Sequence, residues 1–177
     1  MKKIIFLLIT LYFVSKLNAQ EDHTEHIEGP FNSPQEVTAN CLECHEGVDA
    51  EIMETRHWNW LGNEFQTKHG EKTKFGKQNI INNFCIAVPS NWPRCTSCHI
   101  SYGWKDETFD FSNGENIDCL VCHDQSGTYT KTPTGAGMPD EKVDLVVSAQ
   151  SVGKTTKKIA EHAILTVAEE PELNMVI

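Results

Sequence analysis

Positive charge is scarce in this chain: 15 Lys and Arg stand against 25 Asp and Glu, a formal net charge of −10. Binding nucleic-acid phosphates takes clustered Lys and Arg, so no nucleic-acid partner is expected. The acidic surface suits solubility and a basic or metal-bearing partner. Long hydrophobic runs are lacking too. The longest, Ile4 to Val14, covers eleven residues, where a membrane-spanning helix needs about 20. No cysteine follows that run to carry a lipid. No strand-rich region and no 20–50-residue repeat stands out, and apolar residues make up 39 % of the chain. A core built from side chains alone would be thin, which points to some other source of buried apolar surface.

What is present begins with a leader. Met1-Lys2-Lys3 is a basic start, the apolar run follows, Lys16 closes it, and Leu17-Asn18-Ala19 offers a small residue to a signal peptidase. Residues 1–20 are therefore read as an export signal, cut after Ala19 or Gln20. The mature chain is expected to be soluble, without a membrane anchor, in the periplasm or otherwise exported. Losing Lys2, Lys3 and Lys16 deepens its negative charge.

Cysteine usage decides the class. Six of the seven cysteines fall into three frames of one form: Cys41-Leu42-Glu43-Cys44-His45, Cys95-Thr96-Ser97-Cys98-His99 and Cys119-Leu120-Val121-Cys122-His123. Each is C-x-x-C-H, the attachment pattern of c-type haem. Two thiols three positions apart, on a turn entering a helix, reach the two vinyl groups on one porphyrin edge, and the adjacent His binds iron from below. Paired C-x-x-C units also build tetrahedral zinc sites, for instance Cys41 and Cys44 with Cys95 and Cys98. That alternative leaves the invariable His unexplained, and three pairs divide badly into four-ligand sites. Disulfides are common in exported proteins, but one spanning C-x-x-C is more often redox-active than structural. The frames predict three covalently attached haem c groups, with His45, His99 and His123 as proximal ligands.

The rest of the chain is read around those frames. Glu21 to Asn32 is a polar arm carrying His23 and His26. Ser33 as N-cap, Pro34 at the first helical position and Glu36 in the capping-box position predict a helix through His45. Asp49 is expected to cap a second helix running to about Trp60. Residues 62–83 read as loop, and short helical turns are expected around Cys95–His99 and Cys119–His123. Tyr102-Gly103-Trp104 and Phe109-Asp110-Phe111 supply aromatic rings for haem faces and edges, or for ordinary core packing. The fold class expected is mainly α with long loops, a haem-packed multihaem cytochrome c with little or no β.

Four histidines are candidates for the sixth, distal positions: His57, on the second predicted helix between aromatic neighbours, His69 in a loop, and His23 and His26 on the arm. A bis-His iron is closed and suited to electron transfer, whereas an open or Lys-ligated iron marks catalysis. Cys85, in Asn83-Phe84-Cys85-Ile86, stands outside every frame. It is either a buried structural thiol or a reactive one.

Several longer stretches carry a resemblance. They are Arg56-His57-Trp58-Asn59-Trp60, Asn83-Phe84-Cys85-Ile86, Pro93-Arg94-Cys95-Thr96-Ser97-Cys98-His99 with Tyr102-Gly103-Trp104-Lys105-Asp106, and Asn116-Ile117-Asp118-Cys119-Leu120-Val121-Cys122-His123-Asp124. Together they resemble the N-terminal part of octahaem tetrathionate reductase-type cytochromes, from about Cys41 through Ala149-Gln150-Ser151-Val152-Gly153. The resemblance implies a mainly helical fold with closely packed haems forming an electron wire. It also implies reduction of a small inorganic sulfur or nitrogen oxyanion (tetrathionate, nitrite) or of hydroxylamine in the periplasm, with redox partner proteins there. In that family the catalytic haem has a Lys ligand with a free Cys beside it, and Cys85 matches that Cys. The chain departs from the family in carrying three haem motifs instead of eight.

The last stretch has a different texture, since Ile159 to Ile177 holds no Cys, Gly or aromatic residue. A short acidic helix is one reading. The other comes from the codons. Ile159-Ala160-Glu161-His162-Ala163-Ile164 permits bases that, shifted by one, encode Asn-Cys-Gly-Ala-Cys-His, a fourth haem motif. Residues 159–177 are accordingly read as an out-of-frame tail, with His162 no ligand and the family's catalytic Lys missing. The functional expectation is an exported multihaem electron carrier, the front portion of a reductase. The alternative is a small trihaem electron shuttle without catalysis.

Overall fold

The computed structural model describes residues 22–79 and 87–155. The predicted leader, Cys85 and the stretch from Ile159 onward lie outside the described residues. Among the described residues the architecture is short helices joined by long loops. Five α-helices occur, α1 Pro34–Cys44, α2 Val48–Met53, α3 Trp92–Cys95, α4 Leu120–His123 and α5 Leu145–Gln150, with four single 3-10 turns. The one hairpin pairs β1 Phe65–Gln66 with β2 Lys72–Thr73, Phe65 opposite Thr73. No helix among the described residues is long and apolar enough to cross a membrane.

α1 begins as its residues dictate. The Ser33 hydroxyl accepts from the Glu36 amide, and Pro34 occupies the first turn, where a missing N–H costs nothing. The Glu36 carboxylate reaches back one residue further than a capping box requires, accepting from the Asn32 amide at 2.7 Å. Val37 and Thr38 face inward from α1 and are fully buried. The helix packs against the 3-10 turn Gly114–Asn116 and against α5. One core gathers Ile27, Val37, Leu120, Val121, Tyr129 and Ala149. A second is aromatic: Trp58, Trp60, Trp104, Phe109 and Phe111 close around His99.

The second predicted helix is much shorter than expected. It starts after Gly47, which takes a left-handed conformation (φ 79), and it ends at Met53, so Asp49 lies inside the first turn and is not the cap. Local side chains stop it. The Thr55 hydroxyl donates to the Ile52 carbonyl, and the Asn59 amide donates to the Met53 and Thr55 carbonyls. Such side-chain bonds satisfy the end groups that a continuing helix would have used. His57 therefore sits on an exposed turn, not a helix, while Trp58 beside it is buried.

The loop expected at 62–83 is loop apart from the hairpin and the 3-10 turn Lys77–Asn79, as far as it is described. Further on, the chain doubles back behind the second frame, Lys131 bridging to Pro139. Gly137 makes that return fit: its φ is +85, and a Cβ there would collide with the Ser101 carbonyl.

Candidate haem-attachment centre

In the first frame Cys41 and Cys44 lie on the last turn of α1. His45 caps it, its amide donating to the Cys41 carbonyl at 2.9 Å. Cys41 is half-buried, and Cys44 and His45 are exposed. The 3-10 turn His23–Glu25, capped by the Asp22 carboxylate, holds His23 opposite His45, with ring centroids 6.4 Å apart and planes 19° apart. An imidazole nitrogen binds a metal at about 2.0 Å and its ring centre lies about 1.1 Å behind, so two rings across one iron sit about 6.2 Å apart. By distance alone the pair leaves room for one iron between them. His23 Nδ1 is also buried with no hydrogen-bond partner, an orphan that the protein alone leaves unexplained.

The third frame fits as well. Cys119 stands at the start of α4, and the Asp118 carboxylate before it accepts from the Val121 amide at 3.0 Å. His123 Nδ1 lies 2.8 Å from the Gly153 carbonyl, and the Gly153 amide donates back to the His123 carbonyl at 3.0 Å. A carbonyl only accepts, so Nδ1 carries the proton and Nε2 is left as the free lone pair, the arrangement that orients a metal-ligating imidazole.

The second frame is arranged differently. Cys95 ends α3, and His99 is buried among Trp58, Trp60, Trp104 and Phe111. Burial pushes its pKa down to about 4, opposed by the Trp58 carbonyl and reinforced by Lys131 and Lys77. The ring is therefore neutral, the ligand form. Its Nε2, however, lies 2.8 Å from the Trp58 carbonyl while Nδ1 lies 2.8 Å from the Ser101 hydroxyl. Both nitrogens are engaged, so this frame does not fit an iron as it stands. Binding there needs the turn bearing Trp58 to release Nε2.

The frames are tied together by contacts that nothing in their sequences announces. The Cys119 thiol donates to the Cys41 sulfur, which pulls the Cys41 thiol pKa down and drives that of Cys119 up, and the Thr38 hydroxyl lies 3.8 Å from the Cys119 sulfur. The attachment edges of the first and third frames thus meet. The second and third are joined by backbone, Asp118 N–H to Ile100 at 3.0 Å and Tyr102 N–H to Asn116 at 2.9 Å. Burial pushes the Cys98 and Cys122 thiols up, so both stay protonated.

Of the distal candidates, His23 lies against a frame histidine, His45. His57 and His69 are exposed, with no ring contact to another described residue, His69 at the tip of the β1–β2 hairpin, and His26 lies exposed one residue past the turn that carries His23. No group of three or more His, Cys, Asp or Glu among the described residues is arranged to hold a metal ion, so the pairs that a zinc site would use do not converge. Sequence reasoning missed a buried polar group: Asp118, Lys131, Tyr102 and Tyr129. The signal available was Asp118, an acidic residue wedged between Ile117 and Cys119.

Short helices, long loops and three C-x-x-C-H frames, each on or beside a short helix, define the class: the fold is that of a multihaem cytochrome c. The particular likeness is to the crystal structure of octaheme cytochrome c from Shewanella oneidensis, with a TM-score of 0.73 and 46 % identity, covering 81 % of this chain and 33 % of that one. The chain thus spans about a third of the length of the protein it resembles. No protein-family model and no curated protein matches it.

Proposed function

We propose that this chain is an exported c-type cytochrome that carries haem on three frames and passes electrons between them. The observation that carries the reading is the His23–His45 spacing of 6.4 Å in front of an intact attachment frame. Cys41 and Cys44, Cys95 and Cys98, and Cys119 and Cys122 would hold the porphyrins, with His45, His99 and His123 below the irons. When bound, haem c supplies a one-electron iron couple whose potential the surrounding protein tunes. The polypeptide contributes the rest. It clasps His123 at Gly153, sets His23 across from His45, and keeps the attachment edges of the first and third frames in contact. That contact supports direct transfer between those two, out of sequence order.

The finer reading, from the resemblance, is the front part of a periplasmic reductase of tetrathionate, nitrite or hydroxylamine that draws electrons from redox partner proteins, with Cys85 near its active site. The second reading is an electron shuttle without catalysis; His23 across from His45 would close the first iron to substrate, and the shuttle requires the other two irons to be closed as well. The two differ in one measurement. A reductase has an iron position that nitrite or hydroxylamine occupies, with a shift in the visible spectrum, and a shuttle shows none. The frameshift reading of residues 159–177 is tested separately, by resequencing the genomic DNA across Lys158 to Ile177.

The haem count is tested with the mature protein from a host that attaches haem c. Pyridine haemochrome and intact mass should give three haems per chain, and the Cys95→Ser/Cys98→Ser variant should give two. A wild-type value of two that this variant leaves unchanged would mean that Trp58 keeps His99 and the second frame stays empty.

A further inference from the structure

The β1–β2 hairpin is the least expected part of the surface. Phe65 and Phe75 are 46 % and 57 % exposed, and their rings lie together, with centroids 5.6 Å apart. Aromatic side chains gain much from burial, and exposed apolar groups rimmed by polar ones mark sites of association. The rim here is basic. Lys68, Lys74 and Lys77 are exposed, and residues 61–79 hold four lysines against Glu64 and Glu71. Lys72 pairs with Glu64 at 3.2 Å within the hairpin, an exposed contact of small effect. The backbone fixes the shape: the Thr67 amide donates to the Glu71 carbonyl and the Gly62 amide to the Phe75 carbonyl, both at 2.8 Å. A chain of formal charge −10 thus presents a basic, aromatic projection.

The complement is present on the same molecule. Residues 22–60 hold nine carboxylates against Arg56 alone. Within them α2 exposes Val48 (40 %), with Glu51 three positions on, on the same side of the helix, and Glu54 exposed at its end. We propose that the hairpin of one copy docks on α2 of a second copy, Phe65 and Phe75 against Val48, and Lys74 and Lys77 toward Glu51 and Glu54. This concerns a surface outside the three frames and goes beyond the haem reading. Buried aromatic anchors supply most of the energy of such contacts, and charges set the orientation. At 0.1 M salt, fields between exposed charges fade beyond about 10 Å, so the facing patches outweigh the net negative charge of the two copies. A lipid surface matches less well, because an anionic leaflet attracts basic segments and repels the carboxylates that dominate the rest of the chain.

The test is sedimentation equilibrium of the mature, haem-loaded protein in 0.1 M salt, with circular dichroism and haem content read on each variant. The wild type should form dimers or larger species. Phe65→Ser/Phe75→Ser should be a monomer of unchanged helical content, since both rings are exposed. Lys74→Glu/Lys77→Glu should weaken association about tenfold, and so should Glu51→Lys/Glu54→Lys. Net charge alone predicts the opposite for the second of these, which makes the chain less negative. Combining the two in one chain swaps both sides of the contact and should restore association toward the wild-type value. A wild type that stays monomeric through the micromolar range overturns the inference, as does a combined variant no tighter than its parents. A monomer that sediments with phosphatidylglycerol vesicles through Phe65 and Phe75 overturns it in favour of a membrane surface. None of these outcomes touches the haem count, which stands or falls on its own measurement.

Discussion

Made without haem attachment, the mature chain should show little helical circular dichroism and no cooperative thermal transition. The reason lies in the size of its elements. The longest helix among the described residues has 11 residues, and the others have 6, 4, 4 and 6. Isolated helices below about 12–15 residues are marginal in water, so these depend on tertiary packing. The packing available is thin: one core cluster holds six buried residues, five aliphatic and Tyr129. Around it Cys41, Cys95, Cys98, Cys119 and Cys122 are only half-buried, and Trp60 Nε1 and His23 Nδ1 are buried without partners. Porphyrins attached at those cysteines would supply the missing apolar surface, at roughly 25 cal/mol for each Å² buried. The check is far-UV circular dichroism and a melt of the haem-free chain beside the loaded one. A sigmoidal melt of the haem-free chain would mean that side chains alone make the core.

The second large effect should come from Lys131→Met in the haem-loaded protein, which is expected to lose about 3–5 kcal/mol of stability. Methionine fills much the same space, so little of this is a cavity. The cost is the Asp118 carboxylate, 0 % exposed and stripped of its counter-charge, together with a His99 carbonyl that loses its donor. Burial and the same carboxylate push the Tyr102 and Tyr129 hydroxyls well above their ordinary range, so they stay neutral donors and bring no positive charge of their own. Adding Asp118→Asn to Lys131→Met removes the stranded charge and should recover a good part of the loss. Denaturant midpoints of the two single variants and the double variant measure this coupling. A double variant as unstable as the two single losses added together would show that the pair does not act as a unit.

Much of this protein is legible in its sequence because the relevant physics is local. The start of α1 is written in Ser33, Pro34 and Glu36, and those side chains cap the helix within one turn. The C-x-x-C-H frames are legible for the same reason, since two thiols and an imidazole must lie within five consecutive residues to serve one porphyrin. Where α2 ends was less visible. The apolar and aromatic residues up to Trp60 suggest continuation, but Thr55 and Asn59 compete for its terminal carbonyls.

What tertiary structure alone decided is which distant residues meet. His23, His26, His57 and His69 are all candidates in the sequence, His57 foremost for its aromatic neighbours, and the turn of the arm put His23 opposite His45. The contact of Cys41 with Cys119 arises because Thr38, on α1, docks by its hydroxyl onto the Ile117 carbonyl at 2.6 Å. Lys131 reads as one more surface lysine until the return of the chain past Gly137 carries it under His99 to Asp118. The sequence by itself determined the chemistry each segment can perform, because attachment frames and caps are satisfied by near neighbours. Only the fold decided the pairing of frames, the partner of each imidazole and the place of the buried charges, because those depend on contacts between residues far apart in the chain.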